Sequence, residues 1–170
     1  MESTGTLSKN LSYQEAIRSG VAKRLGINNE PNSKQLHVMR VLANDIFQVV
    51  RSHFGDKIYV SSFYRCPKLN EAIGGAAQSD HMIMEDVAAI DLDNDIWEAE
   101  TGISNADIFY FIYDNLDYYK LIWEFGDSDK PAWVHISYST DSKKNKRKQT
   151  FRAVRDSLDR VSYTIFKDNR

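Results

Sequence analysis

VSSFYRCPKLNEAIGGAAQSDHMIMEDVAAIDLD, residues Val60 to Asp93, gathers an arginine, a paired-glycine turn, a histidine and a run of carboxylates into one short stretch. It opens on a strand: over Lys57 to Ser62, Ile58 and Val60 fall on one face and Tyr59 on the other. Pro67 sits where a first helical turn tolerates proline, and Leu69, Ala72 and Ile73 carry a short helix to the Gly74-Gly75 stop. Val87 to Leu92 is apolar enough for a buried strand. Asp91 lies near its end, where a buried carboxylate needs a cation or several donors to justify its desolvation. Far downstream, WVHIS (Trp133 to Ser137) supplies a second histidine, His135, and strand alternation puts Trp133 and Ser137 on its face.

Working outward, residues 1–10 are small and polar and are expected to be ordered only by what they lie against. Ser12 with Glu15 has capping-box spacing, and Ala16, Ile17, Val21 and Leu25 predict one helix ending near Gly26. Asn32 or Ser33 caps a long core helix whose face is Leu36, Met39, Ala43, Ile46 and Val50, stopped by Gly55. Ser104 with Asp107 opens the helix IFYFIYDNL, which ends near Leu116. Tyr119 to Phe125 and Ala132 to Tyr138 read as two strands joined by the turn GDSDKP. DSKKNKRKQ is a basic loop, and VSYTIF near the end alternates like a strand. These elements predict an α+β class, one domain over residues 1–170, with helices packed on one face of a small antiparallel sheet.

Composition bounds the function. A chain of 170 residues with 12% aromatics suits one globular core, and a net charge of −2 implies no bulk attraction to nucleic acid or anionic membrane. The single cysteine, Cys66, excludes an internal disulfide. No apolar run reaches the ~20 residues of a membrane span, and the N-terminal MESTGTLSKN lacks signal-peptide patterning. Synthesis in the cytoplasm is therefore expected, with no membrane insertion. The basic run Lys143 to Lys148 lacks interleaved aromatics, so no nucleic-acid partner is expected.

His81, Asp91 and His135 offer two imidazoles and a carboxylate, a donor set that suits zinc with one position left for water. Other readings of the same residues stand beside it. A single histidine in a strand is usually just hydrogen-bonded, the reading given to His37 and His53 on the long helix. Asp91, Asp93, Asn94 and Asp95 also fit a solvated loop or a calcium-like cluster.

Taken in order, Ser62-Phe63-Tyr64-Arg65, Asn70, Gly74-Gly75-Ala76, Ser79-Asp80-His81, Ala89-Ile90-Asp91 and Trp133-Val134-His135-Ile136-Ser137 resemble the M15 family. These are zinc D-Ala-D-Ala carboxypeptidases and their phage endolysin relatives, which share the fold of the hedgehog signalling domain. The resemblance extends over roughly residues 11–153. It implies Zn2+ held by His81, Asp91 and His135. It also implies that Arg65 grips the peptide substrate, whose carboxylate suits a bidentate guanidinium, and that Ser79 is a nearby polar contact.

Two departures bear on that inference. Residues 82–90, MIMEDVAAI, make a longer interval between His81 and Asp91 than the family pattern has, and hold no glycine. An insertion at Met84-Glu85-Asp86 accounts for this, and Asp86 or Asp93 is the alternative ligand. The family's general base commonly stands three residues before the last histidine, a position held here by Ala132. Glu124 is the substitute expected: if the hairpin closes around GDSDKP, it lies opposite Trp133 on the face of His135. Glu85 and Asp86 are weaker candidates. The reading implied is a zinc peptidase on peptidoglycan stem peptides. It would act at the bacterial cell wall in phage lysis or as a virion component, with phage particle proteins as possible partners. The alternative is a zinc-binding structural component whose catalysis is impaired.

Overall fold

The structure, a computed structural model, describes residues 5–170. A two-stranded ribbon, β1 (Thr6–Ser8) and β2 (Leu11–Ser12), precedes α1 (Tyr13–Ile17) and α2 (Gly20–Leu25). The single helix expected up to Gly26 is therefore two short ones. The Ser12–Glu15 capping box starts the first, but Ser19 is extended and caps Ala22, and the Ala16 carbonyl accepts from the Tyr64 amide. The carbonyl that would have continued the helix serves the segment after the next strand instead. The polar N-terminal segment is also more regular than expected from Thr6 onward; residues 1–4 lie outside the described residues.

The long core helix forms as foreseen, with Asn32 and Gln35 in a reciprocal capping box. It runs as α3 (Ser33–Leu42), a π-helical turn (Ala43–Phe47) and α4 (Gln48–Phe54), ending at Gly55 in the left-handed region. There follow β3 (Val60–Ser62), α5 (Pro67–Ala72), a 3-10 turn (Asp80–Met82), β4 (Val87–Leu92), α6 (Asp95–Thr101) and α7 (Asn105–Asn115). The chain closes with β5 (Lys120–Glu124), β6 (Trp133–Ser139), α8 (Ser142–Asn145), β7 (Gln149–Arg155) and β8 (Val161–Ile165). No helix among the described residues is long and apolar enough to cross a membrane.

The fold is α+β as expected, and the larger sheet has the order β3-β4-β6-β5-β7-β8. One pair departs from the antiparallel expectation: β7 lies parallel to β5. After β6, the one-turn helix α8 carries the chain over, so β7 enters in the direction of β5. The basic stretch expected as a loop supplies that helix. Its buried Asn145 holds the Ser139 backbone at both N–H and C=O. One face of the sheet presents Ala88, Ile90, Leu92, Leu121, Trp123, Val134 and Ile136 to α3 and α7, which add Met39, Leu42, Ile108, Phe109 and Ile112. That continuous core fixes which residues emerge on the opposite face, because neighbouring strand residues alternate.

Candidate metal centre

On the open face, Asp91 of β4 pairs with His135 of β6, and His135 in turn pairs with Ile122 of β5. The 3-10 turn brings His81 over them. That turn is clamped from two sides: the Arg65 amide donates to the His81 carbonyl at 3.0 Å, and Gln35 Nε2 donates to the Met82 carbonyl at 3.0 Å. Asp91 Oδ2 lies 3.1 Å from His81 Nε2, and Asp91 Oδ1 lies 2.9 Å from His135 Nδ1. One donor atom from each residue fits within 4.8 Å of the others, the spread of a metal-ligand set.

The outer hydrogen bonds decide what those inward atoms are. His81 Nδ1 stands 2.6 Å from the Phe63 carbonyl, an acceptor only, so the ring proton sits there and Nε2 turns a lone pair inward. His135 Nε2 lies 3.1 Å from Ser137 Oγ, whose hydroxyl donates to Asp80 Oδ2 at 2.6 Å. With its proton given to Asp80, the Ser137 oxygen accepts from Nε2–H, and the His135 lone pair at Nδ1 faces Asp91. Lys120 Nζ closes the chain on Asp80 at 2.9 Å. Two lone pairs therefore converge on a carboxylate, an arrangement that a divalent cation satisfies and that otherwise requires added protons. The residues present fit a metal.

Charge effects follow the same geometry. Burial raises the Asp91 carboxyl, but the two histidines beside it outweigh burial and hold it below the usual carboxylate range. Burial lowers His81 and wins. Burial also lowers His135, but Asp91, Glu124 and Asp80 around it bring it above the ordinary value.

Asp86 and Asp93, the alternative ligands, are employed elsewhere. Asp86 binds Ser139 and Lys144, and Asp93 accepts from the Asp95 amide and Asn105. The trio sits in a cleft of about 640 Å³ that also takes in Arg65, Ser79 and Glu124. Glu124 lies opposite Trp133 in the β5–β6 register, on the His135 face, 7% exposed. Burial raises its carboxyl, His135 lowers it, Asp91 raises it and Arg65 lowers it, leaving it at about 7. Ala132 and Glu85 are not part of the cleft lining.

The hairpin turn that sets this register needs glycine at Gly126, where φ is +67° and a Cβ would collide with the Lys130 carbonyl. Arg65 Nη2 donates to Ser79 Oγ at 3.1 Å, while its buried Nε has no partner among the described residues.

Sequence reasoning missed the residues that hold this frame. Buried Asn29 donates to the carbonyls of Ile17 and Tyr64 and accepts from the Cys66 amide, fixing the backbone on both sides of Arg65. Buried Asn105 accepts from the Asn94 amide and donates to the Ala132 carbonyl, tying the end of β4 to the start of β6. Ser12, Asn32 and Ser104 had capping spacing to reveal them; Asn29 and Asn105 have only tertiary partners.

A family model described as Peptidase M15 matches residues 9–116, a span that includes His81 and Asp91. No curated protein sequence matches the chain.

Proposed function

Because the chain belongs to the peptidase M15 family, we propose that it is a zinc-dependent peptidase that cleaves the stem peptides of bacterial peptidoglycan, in the manner of phage cell-wall lysis. The observation that carries the reading is the placement of Glu124: a buried carboxyl at about 7, in the same cleft as His81, Asp91 and His135. A general base works best when its pKa lies near the working pH, so that both protonation states are accessible.

Zinc held by His81, Asp91 and His135 would supply Lewis acidity, polarising the scissile carbonyl and acidifying a water. The chain's own residues do the rest. Glu124 takes the proton of the attacking water and returns it to the leaving amine. Arg65, braced by Ser79 and with a buried N–H to spare, receives a substrate carboxylate. Ser137 and Asp80 keep the His135 proton on Nε2 and its lone pair at Nδ1.

Ala132 favours a second reading, in which the chain binds zinc as a structural component of a phage particle and hydrolyses nothing. Mass spectrometry of peptides released from purified peptidoglycan separates the two. Release that stops on chelation, returns with zinc and is lost in Glu124→Ala with zinc content unchanged is the expected result. A folded, zinc-loaded protein that releases nothing from several wall chemistries would establish the structural reading.

A further inference from the structure

Strand β8 carries its apolar side chains on the unexpected side. In an edge strand over a core, the apolar set turns inward; here Ser162 and Thr164 share the side of Phe166, which packs on Phe109 and Trp123 at centroid distances of 4.8 and 5.8 Å. Val161, Tyr163 and Ile165 emerge on the other face, 41%, 57% and 76% exposed. The register explains where that face leads. Tyr163 pairs with Ala153, which pairs with Glu124, which pairs with Trp133. Phe151 pairs with Ile122 beside His135. The apolar face of β8 is thus an extension of the floor that holds the metal-ligand trio, and the same cleft is lined by Arg65, Val161 and Tyr163. Burial raises the Tyr163 phenol and the charges of Glu124 and Asp91 raise it further, consistent with a ring at the edge of the site.

We propose that Phe151, Val161 and Tyr163 form an acyl-side subsite, which packs against the methyls and side-chain methylenes of an extended peptide N-terminal to the scissile bond. The inference rests on the peptidase reading for the peptide nature of the ligand. Its direction comes from Arg65, which lies beyond β4 at the opposite end of the cleft and takes the carboxylate end of the substrate. Its length comes from the sheet: β5 to β8 is two strand spacings, ~10 Å, or about three residues of extended peptide. The structure therefore assigns the chain a preference for longer peptides.

The test measures binding of stem-peptide fragments of two to five residues, sharing one C-terminus and lengthened at the N-terminal end, to the full zinc-loaded chain carrying Glu124→Gln. Hydrolysis of the same fragments by the unsubstituted chain runs in parallel. Affinity should rise about tenfold from the shortest to the longest fragment, the order of discrimination an apolar pocket supplies. Tyr163→Ala and Val161→Ser should bring that ratio towards one, whereas Thr164→Ala, on the opposite face of β8, should preserve it. Binding that is independent of length, or a ratio untouched by Tyr163→Ala, overturns the subsite even if hydrolysis is seen. Length-dependent binding without hydrolysis by the unsubstituted chain keeps the subsite and removes the peptidase. No binding of any fragment removes the subsite and leaves the peptidase to the peptidoglycan assay alone. A dimer in sedimentation that Tyr163→Ala dissolves would reassign the face to a second copy of the chain and overturn the subsite.

Discussion

At the scale of single residues, the most informative group is one that offers no atom to the metal cleft but holds a residue that does. Ser137 is fully buried and stands between His135 Nε2 and Asp80, so its hydroxyl sets which histidine nitrogen carries the proton. Replacing it with alanine leaves Nε2–H without its acceptor and frees the ring to turn or exchange its proton. Partners of this kind are typically worth 10–100-fold in metal affinity. Ser137→Ala, and Asp80→Asn behind it, should therefore weaken zinc binding by about tenfold or more. A chelator-competition titration checks this without any reference to catalysis. Unchanged affinity in both variants would reduce the chain to ordinary packing. The three residues that converge here were legible in the sequence because their motifs kept their order, and Asp91 was separable from Asp86 and Asp93 by its apolar neighbours Ala89, Ile90 and Leu92. The chain from His135 to Lys120 was not, since it joins residues from three elements.

At the scale of elements, the site depends on hairpin register. Glu124 faces His81, Asp91 and His135 only while it pairs with Trp133, and a slip of one residue would send it to the helix side. Gly126 enforces the pairing, since its left-handed backbone and the nearby Lys130 carbonyl leave no room for a side chain. Gly126→Ala should destabilise the fold by more than ~1 kcal/mol, the scale on which alanine is penalised at positive φ. On the peptidase reading it should also lower hydrolysis more than zinc content, because Glu124 moves while His81, Asp91 and His135 do not. Denaturant titration, metal analysis and a peptide assay on the same preparation check this; equal loss of metal and activity would point to general unfolding. The hairpin was legible from two alternating runs around GDSDKP. The parallel placement of β7 was not: Arg152 and Arg155 interrupt its apolar pattern, and no local signal tells which neighbour a late strand will find. The break between α1 and α2 was hidden for a similar reason, because the Ala16 carbonyl is claimed by Tyr64, far away in sequence.

At the scale of the whole molecule, the three residues that could hold a metal come from separate places: His81 from the turn over the sheet, Asp91 from β4 and His135 from β6. A metal ion joining them ties the segment around Arg65 to the centre of the sheet, so its binding free energy adds to folding. With zinc at a thousand times its dissociation constant, that addition is ~4 kcal/mol, and for a chain of this size it raises the midpoint of thermal unfolding by on the order of 10 °C. The sign of its pH dependence follows from the ligands. Zinc binds the neutral imidazole, so every proton held by His81 or His135 competes with it. His135 sits above its ordinary value, which keeps that competition alive to higher pH, while His81 sits below and competes less. The stabilisation by zinc should accordingly be small near pH 5, where His135 holds its proton, and grow as pH rises to about 8, with protons released on binding. Scanning calorimetry with and without a chelator across that range checks it. A gap between the two curves that is constant with pH would mean that His135 is not a ligand, and an absent gap that the three residues hold no zinc at all.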